Sequence, residues 1–367
     1  MLQPLVVGLG RSGTGLHIRT LARLAERTAA AGDPLVTLPA VGCDPRAHRL
    51  RTAAGLRGTT VVATLEEALR HLDPAIVVAH VCTPPRLRYA LVAELAAHGV
   101  RRMIVEKPLA ASPGELDALI RLHYEAGLAL VPVAHWTGSR LAHRLRALVR
   151  GERLGRLRRI TVDQHKPRFL RSLTSDGHDS ALDVEIPHSL ALALDLAGPA
   201  TLRAAHCWDL RCEDRVLPRM GGAHLELAHT SGVTTLLRSD LGAPVRQRSV
   251  VCAFDHGTAT AHFPLSEDDD HAQLVVTPAG RTSAAEADES VTPAGHTDAP
   301  EADEPTHLVF RDDALTDFLE DAYRAFRSGT TGTTGFTLAC ATARLLDAAR
   351  EHVAAASTAV SPASGSR

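Results

Sequence analysis

Leu5-Val6-Val7-Gly8-Leu9-Gly10-Arg11-Ser12-Gly13 decides how the first part of this chain folds. An apolar run of strand length ends in a G-x-G-x-x-G spacing, and from Leu16 to Ala30 the apolar residues recur at helical intervals. Gly8, Gly10 and Gly13 let the backbone turn tightly and approach a pyrophosphate closely. Arg11, Ser12 and Gly13 lie where a helix start offers free amides and partial positive charge. The spacing occurs in many proteins, so its meaning rests on the residues downstream of it.

Working outward, Pro39 to Asp44 reads as a second strand. Asp44 falls where a carboxylate accepts hydrogen bonds from an adenosine ribose, which favours NAD, while Arg46 keeps NADP open through its reach toward a 2'-phosphate. The interval from Gly13 to Asp44 is long, and residues 29–38 read as a widened loop. Beyond it, helical and strand patterns alternate: helix over 64–71, strand over 75–81, helix over 86–97, strand over 102–105. Such alternation predicts a parallel doubly wound α/β sheet. Thr83 and Pro84 follow the 75–81 strand, at the carboxyl edge where open α/β sheets bind ligands; a simple strand-ending turn is the alternative.

The next strand ends in Val105-Glu106-Lys107-Pro108. Of the 40 Lys+Arg residues only Lys107 and Lys166 are lysines, so composition alone favours an arginine at either place. A lysine ammonium is a compact charge whose pKa moves on burial, whereas a guanidinium stays protonated. Glu106 and Lys107 lie at the edge where the dinucleotide is expected, and Lys107 is placed to meet its reactive end.

The 367 residues suffice for two domains. A formal net charge of -2 argues against a nucleic-acid or anionic-membrane partner engaged by global electrostatics. The six cysteines make no C-x-x-C pair, and His206, Cys207, Cys212 and His224 match no standard ligand spacing, so neither disulfides nor a metal is expected. No basic leader precedes the first strand and no run of about 18 apolar residues occurs, which predicts a cytoplasmic protein.

These motifs resemble the Gfo/Idh/MocA family of oxidoreductases, the group of glucose-fructose oxidoreductase and inositol dehydrogenase. The resemblance rests on G-L-G-R-S-G, V-C-T-P-P at Val81 to Pro85, V-E-K-P-L at Val105 to Leu109 and E-I-P-H at Glu185 to His188, and it spans nearly the whole chain. It implies an N-terminal Rossmann domain, a C-terminal α+β domain with an open, mainly antiparallel sheet, a catalytic lysine at Lys107, and assembly as a homo-oligomer, a dimer or tetramer. Relatives add a D-x-x-x-H pair. His188 takes the histidine position, but Val184 stands four residues before it. Glu185, one helical turn from His188, is the preferred carboxylate partner, with Asp183 kept as the alternative.

The expected domains are 1–132 and 133–355, with a tail at 356–367 expected to be disordered. Lys166 follows a strand read over 155–162 and is a substrate contact or a solvated side chain. The arginine run from Arg144 to Arg159 reads as a phosphate site or, more simply, as a solvated helix face. Between residues 265 and 305 lie a Glu-Asp run and two copies of a fifteen-residue unit beginning V-T-P-A-G, which predict a flexible acidic excursion suited to a cationic substrate such as an amino sugar or aminocyclitol. Helices are expected over 313–328 and 336–352. The implied activity is hydride transfer between NAD(P) and a secondary alcohol or ketone of a sugar or cyclitol. Lys107 polarises the oxygen and His188 moves the proton. The rival is a dinucleotide-binding regulator without chemistry.

Overall fold

The computed structural model describes residues 1–46, 58–151, 153–174, 178–266, 269–279 and 305–359. Six strands, β1 (Gln3–Val7), β2 (Val41–Cys43), β3 (Thr60–Val62), β4 (Val77–Val81), β5 (Arg102–Val105) and β6 (Ala129–Pro132), pair in parallel in the order β3-β2-β1-β4-β5-β6. Central strands of such a sheet are covered on both faces, and all five residues of β4 are buried. Alternate side chains serve opposite cores: Leu5, Val7, Val77 and Ala79 pack with Val92, Leu95 and Leu119, whereas Val6, Val78 and Ile104 pack with Leu21 and Leu24.

The second domain is an eight-stranded sheet made of β7 (Leu157–His165), β8 (Ala200–Cys212), β9 (Arg215–His229), β10 (Thr234–Asp240), β11 (Gln247–Phe254), β12 (Gly257–His262), β13 (His271–Pro278) and β14 (Thr306–Arg311). Its order is β14-β13-β12-β11-β7-β10-β9-β8, antiparallel except between β7 and β10. Ile160 and Val162 of β7 face the helix Ile186–Ala197, whose Ile186, Leu190 and Leu194 complete that core. One sheet and its covering helix thus fix where His188 stands.

The chain then returns to the first domain. The helix Ala314–Ser328 sets Leu319, Tyr323 and Phe326 beside Leu21 and Leu24, and the helix Thr334–Ala359 gives Phe336 and Cys340 to the first core but Leu346 and Ala349 to the second. A division at residue 132 therefore leaves part of the first domain's cover at the far end of the sequence. Periodicity shows that a helix has an apolar face; it does not show which core that face covers.

The last helix runs to Ala359, past residue 356 where a tail was expected, because Val353 is buried and Ala354 to Ala356 favour helix. Residues 271–278, expected to belong to the flexible excursion, instead form β13, which takes in the first residues of the tandem repeat and pairs with β14; most of the repeat lies outside the described residues. Among the described residues no helix is long and apolar enough to cross a membrane.

Candidate active site

Register brings three strand ends level. Val7 pairs with Val81 and Val81 with Val105, so Gly8, Cys82-Thr83 and Glu106-Lys107 leave the sheet side by side. This is the carboxyl edge where strand order reverses between β1 and β4. Gly8 has φ +92°, and a Cβ there would stand 2.9 Å from the Cys82 carbonyl carbon. A Cβ on Gly13 would stand 2.0 Å from the Gly8 carbonyl oxygen, whereas one on Gly10 meets nothing within 4 Å. Two glycines thus close the turn and the third leaves its outer side open. The Thr83 hydroxyl is buried without a protein partner, as expected of a group kept for a ligand.

Asp44 follows β2 and is buried. Its carboxylate accepts from the Leu9 amide at 2.9 Å, from the Arg46 amide at 2.9 Å and from Arg46 Nε at 3.0 Å. Burial raises its pKa, but the Arg46 guanidinium and these amides outweigh burial and hold it below the usual carboxylate value. Carboxylate and guanidinium therefore stand together where the ribose of a dinucleotide is expected. The turn, the free Thr83 hydroxyl and Asp44 fit a dinucleotide.

Glu106 braces the lysine. Its Oε1 accepts from Ser12 Oγ and from His17 Nε2, the latter at 3.2 Å, and its Oε2 accepts from the Lys107 amide at 3.1 Å. Pro84 precedes the 3-10 turn Pro85–Leu87 as its N-cap. The half-buried Lys107 reaches across to the second domain, where Nζ donates to the Val184 carbonyl oxygen at 3.2 Å. Burial lowers its pKa; Glu106 opposes this, while Arg88, Arg171 and Arg168 add to it.

His188 stands on the first turn of the helix Ile186–Ala197, half-buried and lining the same cleft as Lys107. Its ring lies edge-on to His135, with centroids 4.7 Å apart, and near-parallel to Trp136 at 6.0 Å. Burial, then the charges of Lys107, His135, Arg248 and Lys166, push its pKa well down, so the imidazole is neutral. No carboxylate orients it among the described residues. Glu185, expected to do so, instead holds Lys166 in an ion pair and accepts from Gln164 Nε2. Asp183 is corrected further: its carboxylate accepts from Arg350 Nη2 at 2.6 Å and from Ser180 Oγ at 3.2 Å, outside the cleft lining. Arg350 lies 167 residues away in sequence, and a local spacing argument has no access to it.

Lys166 is a cleft residue rather than a solvated one. Burial and the charges of Arg248, Arg168, Lys107 and Arg171 push its pKa down to about 6, and its contact with Glu185 acts the other way. Sequence reasoning missed His135, Arg171, Arg246 and Arg248, which share the cleft. Gln164 and Arg168 carried a signal, from their place in the polar run Asp163 to Arg168 at the end of β7.

Residues 2–135 match a family model described as oxidoreductase family, NAD-binding Rossmann fold, under the name GFO_IDH_MocA. The first domain is therefore an NAD-binding Rossmann domain of an oxidoreductase family. That family is Gfo/Idh/MocA. No curated protein sequence matches the chain significantly. Among solved structures, KijD10, a 3-ketoreductase from Actinomadura kijaniata in complex with NADP and TDP-benzene, is 16% identical with a TM-score of 0.72, over 96% of this chain and 98% of that one. UDP-N-acetylglucosamine 3-dehydrogenase GnnA from Acidithiobacillus ferrooxidans is 19% identical with a TM-score of 0.71, over 96% and 98%. An oxidoreductase from Agrobacterium radiobacter in complex with NAD+, L-tartaric acid and magnesium is 16% identical with a TM-score of 0.70, over 96% of each chain. At such identities the likeness establishes the two-domain fold.

Proposed function

We propose that this protein is an NAD(P)-dependent oxidoreductase that transfers a hydride between the dinucleotide and a secondary alcohol or ketone of a sugar or cyclitol. The observation that carries the reading is the pairing, in one cleft, of the Lys107 ammonium at the dinucleotide edge with a neutral His188 imidazole that has no hydrogen-bonding partner among the described residues. The cleft is lined both by the glycine-turn residues Arg11, Ser12 and Gly15 and by Lys166, Arg168 and Arg248 of the second domain, which suits a dinucleotide and a second molecule. The activities named for KijD10 and GnnA, a ketoreductase and a dehydrogenase, agree with the same chemistry.

When bound, the nicotinamide supplies or accepts the hydride. Lys107 donates to the substrate oxygen and stabilises the negative charge that grows there. His188 Nδ1 or Nε2 takes the hydroxyl proton during oxidation and, protonated, returns it during reduction. Glu185, held by Lys166 and Gln164, keeps the cleft floor in place. Incubating the protein with NAD, NADP or their reduced forms and a panel of sugars, cyclitols, their phosphorylated and nucleotide-linked forms and the matching ketones tests this through absorbance of the reduced dinucleotide. Turnover with one class supports the proposal; dinucleotide binding without turnover of any would make the protein a regulator.

A further inference from the structure

Arg168, Arg171, Arg246 and Arg248 line the cleft together with Lys107 and Lys166. None of the four arginines has an ion-pair partner among the described residues. Arg168 is 5% exposed; its Nη1 donates to Ser172 Oγ at 3.3 Å and its Nε is buried with no partner. Arg248 Nη1 donates to the Pro264 carbonyl at 2.8 Å, and Arg246 Nη1 to the Leu265 carbonyl at 2.5 Å. The carboxylates along the cleft are engaged elsewhere. Glu106 binds Ser12 and His17, Glu185 binds Lys166 and Gln164, Asp270 binds Arg311, and Asp312 accepts the Arg140 and Leu141 amides. Asp313 caps the helix Ala314–Ser328 and faces Arg23 at 3.6 Å.

Arg168 is buried and Arg248 half-buried, whereas Arg171 and Arg246 are exposed; cations withdrawn from water without a counter-charge are costly, and several together repel one another. Arg168, Arg171 and Arg248 all have pKa values lowered first by burial and then by neighbouring arginines. An anion relieves both costs, and a guanidinium fork matches phosphate oxygens two at a time. All four arginines come from the second domain, Arg168 and Arg171 from the segment after β7, Arg248 from β11 and Arg246 from just before it; β7 and β11 are neighbours in the sheet, and Arg248 pairs in register with Gln164. The glycine turn expected to serve dinucleotide phosphates belongs to the first domain, and its Arg11 lies near enough to repel Arg168 and Arg171.

We infer that Arg168, Arg171, Arg246 and Arg248 form a phosphate-binding subsite on the second-domain wall, and that the substrate is a sugar phosphate or nucleoside-diphosphate sugar rather than a free sugar or a cationic amino sugar. The inference rests on the hydride-transfer reading for the word substrate, but not for the subsite. It also moves phosphate recognition away from the Arg144–Arg159 run. There Arg144 lies 4.5 Å over the Phe310 ring, Arg146 pairs with Asp195 at 2.6 Å and Arg158 with Asp255 at 2.5 Å, and none of the three lines the cleft.

The test is calorimetric binding of inorganic pyrophosphate and of UDP to the full chain saturated with NADH or NADPH. Binding is expected in the presence of dinucleotide and weakens at least tenfold in Arg168→Gln/Arg248→Gln, while Arg144→Gln leaves it unchanged. The pair Arg168→Lys/Arg248→Lys keeps the charge but loses the fork, and is expected to weaken binding in a chain that still binds dinucleotide. Pyrophosphate binding that vanishes once dinucleotide is saturating would assign the arginines to the cofactor and overturn the subsite. So would the absence of binding under either condition, or equal affinity in all variants. UDP binding with no turnover of any nucleotide-linked sugar would sink the hydride-transfer reading and leave the subsite standing.

Discussion

His17 Nδ1 lies 2.7 Å from His80 Nδ1, a contact that has room for one hydrogen only. Both rings are fully buried, His17 Nε2 faces the Glu106 carboxylate at 3.2 Å, and His80 Nε2 lies 2.9 Å from the Tyr323 hydroxyl. Burial lowers the His17 pKa, but Cys82 and the Glu106 carboxylate outweigh it and hold the value up, at about 10. Burial and the His17 charge push His80 well down. His17 is therefore the cation: it donates to His80 through Nδ1 and to Glu106 through Nε2, and His80 donates through Nε2 to Tyr323. A buried ion pair thus lies directly behind Lys107.

That pair makes stability depend on pH in two directions. His17 is raised from 6.5, so its contribution is complete below that value and is lost as pH climbs toward 10. Glu106 is depressed from 4.5, because His17, Lys107 and Ser12 outweigh the burial that would raise it. Its contribution is present above that value and is lost as acid protonates the folded form. Melting temperature should hold through neutral pH and fall on both sides. His17→Gln, which strands the carboxylate, should cost about 3 kcal/mol and remove the alkaline limb. Thermal denaturation across pH measures it, and an unchanged limb in the variant contradicts the assignment.

Lys107→Met should lower turnover by about two to three orders of magnitude, the size expected for losing a donor to a developing oxyanion. Dinucleotide affinity, read by fluorescence of the reduced form, should stay nearly the same. Lys107→Arg should not restore the rate, since a planar fork cannot take the place of a point charge that donates to Val184. Near-normal turnover in Lys107→Met would remove the lysine from the chemistry.

For oxidation, His188 must be unprotonated, and its pKa is well below the ordinary 6.5, with Lys107 the first contributor after burial. The rate should therefore persist into mild acid. In Lys107→Met the residual activity should lose its acid side at higher pH, because one repelling charge is gone. His188→Asn should cost about 100-fold to 10,000-fold. Identical acid limbs in the lysine variant and the parent would show that another group carries the proton.

Asp44→Asn should weaken NAD more than NADP. A hydrogen bond to a charged carboxylate is worth about 1.5 kcal/mol or more, roughly a tenfold change in affinity, whereas Arg46 remains available to a 2'-phosphate. Titration with both dinucleotides decides it; equal losses would place Asp44 in support of the turn through the Leu9 amide rather than on the ribose.

Much of the proposed cofactor edge could be placed from spacing, because each of its parts is local. The glycine turn, Thr83, and Glu106 with Lys107 all sit at strand ends, and strand ends are marked by apolar runs of a few residues. The substrate side was readable only by halves. Gln164 and Arg248 face each other across two strands more than eighty residues apart, and Tyr323 reaches His80 from a helix beyond the second sheet. Glu185 looked like a partner for His188 at one helical turn; a lysine from the neighbouring strand end took it instead.

Short-range order along the chain was sufficient for the parallel sheet, the dinucleotide turn and the lone lysine at its edge, since backbone sterics and side-chain period act over a few residues. Which carboxylate meets which cation, which core the last helices cover and where uncompensated arginines gather were settled only by folding. Charge and packing act through space, and the distances that govern them do not exist until the strands are paired.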